Sequence, residues 1–165
     1  METSIQLLTT PDAEAACDIV RSSIAECCFA DHRGDPEVIR TWLGNKTPDN
    51  FSAWFSSPQN IPLGAFDGGR LVGVALVSES SLSLCYLAPE ALHRGIGKSL
   101  LAAAEAVARQ RGVEELHLES TRTAEAFYRR NGFQPSGPVH FRAGLQALPM
   151  SKRLTPEATI GAEQP

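Results

Sequence analysis

No apolar run in the sequence approaches the roughly 20 residues needed to cross a bilayer. Met1 to Thr10 lacks the basic start and apolar stretch of a secretory signal, so a cytoplasmic protein with no membrane partner is expected. Basic residues are in the minority, with 15 Lys and Arg against 19 Asp and Glu for a net charge of −4. That balance excludes a chain-wide basic field of the kind that draws nucleic acid, and any phosphate recognition has to be local. Cysteine is scarce as well: Cys17, Cys27, Cys28 and Cys85 form no C-x-x-C pair, and no His stands beside them in ligand spacing. No metal site is expected, and in a reducing compartment the four thiols read as small core residues.

What is present suits one ordinary globular core. A length of 165 residues is too short for two full domains, and 42% hydrophobic with 21% charged residues excludes a disordered class. The reading is one domain over 1–154 and a loose tail over 155–165, which has no periodicity.

Along the chain, Ile5 to Leu8 reads as a short strand, and Pro11-Asp12-Ala13-Glu14 opens a helix that runs to about Cys28. A polar break at Asp31 to Pro36 precedes a second helical stretch, with Val38, Ile39, Trp42 and Leu43 on one face. Thr47-Pro48-Asp49 resembles a helix start, placing Phe51, Trp54 and Phe55 on a short third helix. Ile61–Phe66, Arg70–Val77 and Leu82–Leu87 read as an antiparallel meander broken at Asp67-Gly68-Gly69 and at Ser78 to Ser81. A long helix begins near Gly95, carries Ile96, Leu100, Leu101, Ala104, Val107 and Ala108 on one stripe, and closes at Arg111-Gly112. Val113–Leu118 is then a strand, Thr121–Arg130 a helix, and the remainder to Leu154 one or two short strands.

Chemistry concentrates where the third strand of the meander meets the long helix. In His93-Arg94-Gly95-Ile96-Gly97-Lys98 the two glycines permit a tight turn and close approach, and the first free N–H groups of the helix point at an anion. Arg94 and Lys98 add charge, so the loop suits a diphosphate. Gly97-Lys98-Ser99 also matches the end of a nucleotide-binding P-loop, but the required first glycine falls at Leu92, and no strand ending in aspartate follows to hold magnesium. An NTPase is disfavoured on both counts.

Leu84-Cys85-Tyr86-Leu87-Ala88-Pro89-Glu90 followed by His93 to Leu101 closely resembles motif A of the GNAT superfamily of N-acetyltransferases. Ala124-Glu125-Ala126-Phe127-Tyr128-Arg129-Arg130-Asn131-Gly132-Phe133 resembles its motif B. The combination is specific, because two independent signals stand at the expected separation. The resemblance implies an α+β fold: a mostly antiparallel sheet, splayed at the cofactor site and flanked by helices. It also implies acetyl-CoA as cofactor and an N-acetyltransferase acting by direct attack on the primary amine of a small molecule or peptide. Homodimers are common in the family.

Carried over position by position, the resemblance puts the pyrophosphate against Leu92, His93, Arg94, Gly95, Ile96, Gly97, Lys98 and Ser99. The pantetheine arm pairs with Tyr86 and Leu87, and Ala124, Phe127 and Tyr128 close the far wall. Leu92 departs from the family pattern, which has Gln or Arg there, so a looser hold on the phosphates is expected. The Leu87 N–H is the implied oxyanion donor and Tyr128 the implied general acid, a phenol of pKa about 10 being a neutral proton source at pH 7. The base stays open among Glu26, Asp31, His32, Glu79 and Glu119, each of which by default is a solvated surface group. Asp31, His32 and Trp42 are the residues weighed for the amine substrate, Trp42 with ordinary helix packing as its alternative. A non-catalytic acyl-CoA-binding module of the same fold is the second functional reading, with Leu92 in its favour and Tyr128 against it.

Overall fold

A computed structural model describes residues 3–155. Its elements are β1 (Thr3–Leu7), α1 (Ala13–Cys27), α2 (Phe29–His32), α3 (Pro36–Leu43), α4 (Pro48–Ser56), β2 (Asn60–Asp67), β3 (Arg70–Ser78) and β4 (Ser81–Leu87). There follow α5 (Ile96–Gln110), β5 (Glu115–Ser120), α6 (Arg122–Arg130), β6 (Gln134–Pro135), β7 (His140–Arg142) and β8 (Leu145–Arg153). The expected order is borne out except around the polar break read at Asp31 to Pro36, where Phe29–His32 forms an unexpected short helix and α3 already starts at Pro36. The last segment is richer than the one or two short strands anticipated, since β8 runs nine residues and β6 and β7 both pair with it. The tail beyond Thr155 lies outside the described residues.

Local chemistry starts the helices where the sequence signals them. Asp35 accepts from the Glu37 N–H ahead of Pro36, Thr47 accepts from the Asn50 N–H ahead of Pro48, and Thr121 accepts from the Ala124 N–H. The strands run β1-β2-β3-β4-β5-β8-β6 across one mixed sheet, with every neighbouring pair antiparallel except β4 and β5. Helices α1 and α4 cover one face through Val20, Ile24, Phe51 and Phe55, and α5 covers the other through Ile96, Leu100, Leu101 and Ala104. Each fully buried Leu or Ile there contributes about 1.5–3 kcal/mol. Glu105 of α5, 8% exposed, receives Lys152 of β8 on both oxygens at 3.0 Å, which ties helix to sheet.

The break that makes a site lies between β4 and β5. Their register holds at Ser81 opposite His117, supported by the His117 N–H donating to the Ser80 carbonyl at 2.9 Å. Beyond it the strands part. On the β3 side, Leu84 pairs with Leu76 and Leu82 with Val77, which leaves Ser83 as an extra residue. This bulge bends β4 and turns its side chains over, so Leu82 joins the α5 face while Leu84 joins the α1 face. Cys85 and Leu87 consequently face α5, and Tyr86 faces α1.

Candidate active site

The parted strands open a cleft of about 620 Å³, walled by the end of β4, the loop before α5, and α6. Leu87 stands opposite Gly73 in the β3 register, where any Cβ at Gly73 would lie 2.7 Å from Leu87 Cδ2. The bare backbone of Gly73 therefore seats the Leu87 side chain. The next N–H, of Ala88, donates to the Val72 carbonyl at 2.8 Å. Peptide groups alternate sides along a strand, so the Leu87 N–H points away from β3 and into the split.

Above it, His93 (φ 62) and Gly95 (φ 81) take left-handed backbone conformations, and the chain swings directly into α5. The first helical bond runs from Ser99 N–H to the Gly95 carbonyl at 3.2 Å. The Ile96, Gly97 and Lys98 N–H groups accordingly lack a partner among the described residues. A Cβ at Gly97 would fill the space between Phe127 and Leu87, at 3.4 and 3.5 Å. Three converging amides at the positive end of a 15-residue helix, with Lys98 beside them, fit a diphosphate.

Leu92, His93, Gly95, Gly97, Lys98, Tyr86, Leu87, Ala124, Phe127 and Tyr128 all line this cleft, as the motifs suggest. Three others do not. Arg94, expected to add charge, is drawn to Asp67 at 2.8 Å. Ile96 is 3% exposed in the core, and the Ser99 hydroxyl bonds back to the Gly95 carbonyl at 3.3 Å. In their place Arg130 and Asn131 reach the wall from the end of α6. In the sequence those two stand inside the second motif with no site role read for them.

Tyr128 packs edge-on against Phe127 and Phe133, with ring centroids at 5.4 and 5.6 Å. Burial pushes its hydroxyl well above the ordinary phenol value, and the Cys85 thiol beside it adds to the shift. The phenol is held neutral. Three cysteines border the same cleft, and burial pushes both Cys28 and Cys85 up to about 12. Cys27 and Cys85 are only half-buried, a departure from the expected core thiols.

A second cleft of about 720 Å³ lies on the α1 side of the split and shares Leu82, Leu84, Tyr86, Glu119 and Thr121 with the first. Trp42 is on its wall together with Tyr86. Among the described residues Glu119 is the only carboxylate on either lining, and of the groups weighed as bases it alone borders a cleft. It is held by His140 at 3.0 Å and by Arg142, both on β7.

Asp31 and His32 turn out differently from the exposed polar loop expected of them. Both end α2 and are buried, at 9% and 3% exposure. The Asp31 carboxylate accepts from the Arg122 and Thr123 N–H groups at 2.7 and 3.0 Å, capping α6. His32 Nε2 bonds the Ile24 carbonyl at 2.9 Å, and its Nδ1 accepts from the Gly34 N–H at 3.0 Å, so neither nitrogen is free. Neither side chain lines either cleft.

Residues 30–154 match the family model described as an acetyltransferase (GNAT) domain. The chain belongs to the GNAT acetyltransferases. It is 29% identical over 146 residues to a spermidine N(1)-acetyltransferase of Thermoplasma acidophilum, covering 81% of this chain and 89% of that one. The PaiA N-acetyltransferase of the same organism, solved in complex with coenzyme A, superposes with a TM-score of 0.76 at 25% identity over 93% of this chain and 99% of the other. A GCN5-related N-acetyltransferase of Rhodopseudomonas palustris shares the fold, with a TM-score of 0.83 at 23% identity over 93% and 97% of the two chains. As a GNAT member this protein is an acetyl-CoA-dependent N-acetyltransferase, and of the two functional readings the enzyme is the one borne out. No helix among the described residues is long and apolar enough to cross a membrane.

Proposed function

We propose that this GNAT enzyme acetylates the primary amine of a small molecule or peptide by direct attack, with both reactants bound together across the split sheet. Bound acetyl-CoA supplies a thioester carbonyl as the acyl donor. The α5 amides and Lys98 hold its diphosphate, and the exposed edge of β4 at Tyr86 and Leu87 lies along the path of its arm. The Leu87 N–H stabilises negative charge developing on the carbonyl oxygen. Tyr128, kept protonated by its surroundings, donates to the departing sulfur. Glu119 stands where the two clefts meet, and we assign it the amine's proton, taken directly or through water.

The observation that carries this reading is the joint placement of the Leu87 N–H, the neutral Tyr128 hydroxyl and the free α5 amides on one cleft. Direct attack is favoured over acyl transfer through cysteine because the cleft thiols are shifted away from the reactive thiolate. The test is to incubate the purified chain with acetyl-CoA and a panel of amines and peptides, following thiol release together with the mass of amine and protein. An acetylated amine with unmodified protein is the expected result. Acetyl transfer to the protein ahead of the amine would replace direct attack by a two-step route.

A further inference from the structure

Lys46 is 9% exposed, yet it is one of the residues that line the second cleft. Nζ donates to Asn45 Oδ1 at 2.6 Å and stands 3.5 Å from the Trp42 carbonyl, the limit of a hydrogen bond. An ammonium has three donors, so these two neutral acceptors leave one unassigned. No carboxylate of the described residues pairs with it. Buried charges are ordinarily paired, because removal from water is costly without a counter-charge.

Capping the end of α3 is the plain alternative, and it accounts for only part of this. A lysine serving a helix C-terminus normally keeps its head in water, whereas this one is enclosed and its loop is pinned. Arg21 Nη1 donates to the Leu43 and Lys46 carbonyls at 3.1 and 2.8 Å, and Cys17 Sγ to the Lys46 carbonyl at 3.2 Å. Asn50 Nδ2 holds the Asn45 carbonyl at 2.8 Å. The surroundings thus hold the backbone of the loop that carries Lys46. Burial pushes the Lys46 pKa down, the direction expected of a cation lacking an anion.

The other charges on this cleft do not supply the missing partner. Glu119 is already engaged by Arg142 and His140, and apart from His117 the remaining polar groups of the cleft are Ser, Thr and Gln, around Tyr86 and Trp42. The Lys46 charge remains uncompensated. A polyamine, positive at several nitrogens, meets repulsion here, whereas a carboxylate completes the ammonium's third bond.

Resting on the acetyltransferase reading above, we infer that the acceptor is a small amino compound bearing a carboxylate, an amino acid or close analogue, with the carboxylate seated on Lys46 and the amine directed toward the split. A cleft of about 720 Å³ holds such a molecule with room to spare.

The experiment compares matched acceptors that differ only in the carboxylate, lysine against cadaverine and β-alanine against ethylamine, with spermidine alongside. The wild-type chain and its Lys46→Met and Lys46→Arg variants are assayed with acetyl-CoA. Wild type is expected to favour the carboxylate member by roughly tenfold or more in kcat/KM, the factor a hydrogen bond to a charged group supports. Lys46→Met should erase that preference through the acceptor's KM while the KM for acetyl-CoA stays put, and Lys46→Arg should retain it. Should Lys46→Met fail to fold, the wild-type ratio within each pair decides alone. Preference for spermidine or the plain amines, or a carboxylate preference that survives in Lys46→Met, overturns the inference and leaves the acetyltransferase reading standing. Acetylation of peptides but of no small amine also overturns it. Absence of turnover with every amine and peptide removes both.

Discussion

Asp31 caps a helix that begins 91 residues further along the chain, its carboxylate accepting the Arg122 N–H at 2.7 Å and the Thr123 N–H at 3.0 Å. Helix α6 carries Ala124, Phe127 and Tyr128, so the orientation of the cleft's far wall depends on this contact. Asp31→Ala leaves two first-turn amides without their acceptor and removes a favourable charge at a helix N-terminus. The expected cost is about 1–3 kcal/mol in urea unfolding, with kcat reduced more than the KM for acetyl-CoA. A stability unchanged within error would show that α6 does not need the cap.

Tyr128→Phe retains the stacking with Phe127 and Phe133 and removes the hydroxyl. Turnover is expected to fall about a hundredfold, within the range attributed to a positioned proton donor. The pH dependence has a definite sign. The folded phenol titrates well above its unfolded value near 10, so its contribution to stability is complete below pH 10 and is lost as pH rises through the folded value. Melting temperatures of wild type and Tyr128→Phe should therefore diverge only in alkaline solution, with wild type falling faster.

The cleft thiols should be sluggish nucleophiles. With Cys28 and Cys85 up at about 12, alkylation by iodoacetamide at pH 8 is expected to run roughly a thousandfold slower than for free cysteine. Peptide mass mapping over a time course reads this directly. Bound coenzyme A should slow labelling of Cys85 further, since that residue borders the same cleft as the α5 amides. Rapid modification of Cys85 at neutral pH would contradict its raised pKa.

Gly95→Ala forces a Cβ into a residue at φ 81, at a cost of about 1–2 kcal/mol. Because that residue aims the three free amides of α5, the affinity for coenzyme A measured by calorimetry should fall along with the melting temperature. Leu92→Arg acts in the opposite direction. It places a guanidinium on the cleft wall where the wild type has an alkyl group, and the KM for acetyl-CoA is expected to drop several-fold. An unchanged KM would show that the backbone amides already saturate the phosphate contacts.

Much of the fold was legible because its signals are local. Thr47-Pro48 and Thr121 start helices through contacts within three residues, and the apolar stripe from Ile96 to Ala108 has the period of an α-helix. The Gly95 turn requires a left-handed backbone that favours glycine, and so it too can be read from one position. The strand boundaries near β5 shifted by two residues because alternation marks a half-buried strand without marking where pairing stops.

The polar residues around the site were legible only as types. Asp31, His32 and Glu119 all looked like solvated groups, and what separated them was contact across long stretches of chain: a cap on α6, two backbone bonds, and a hold from β7. The bulge at Ser83, which sends Leu82 and Leu84 to opposite faces, breaks the very alternation from which their common side is inferred.

The sequence by itself determined the order of elements and the glycine loop at the head of α5, since each depends on spacing within a few residues, and its two motifs carried the resemblance that implied the kind of enzyme. The tertiary structure alone decided that Arg94 turns to Asp67, that Asp31 serves α6, and that Lys46 stands enclosed at the second cleft with no carboxylate partner among the described residues. Charge and hydrogen-bond pairing are settled by which distant segments the packed sheet brings together.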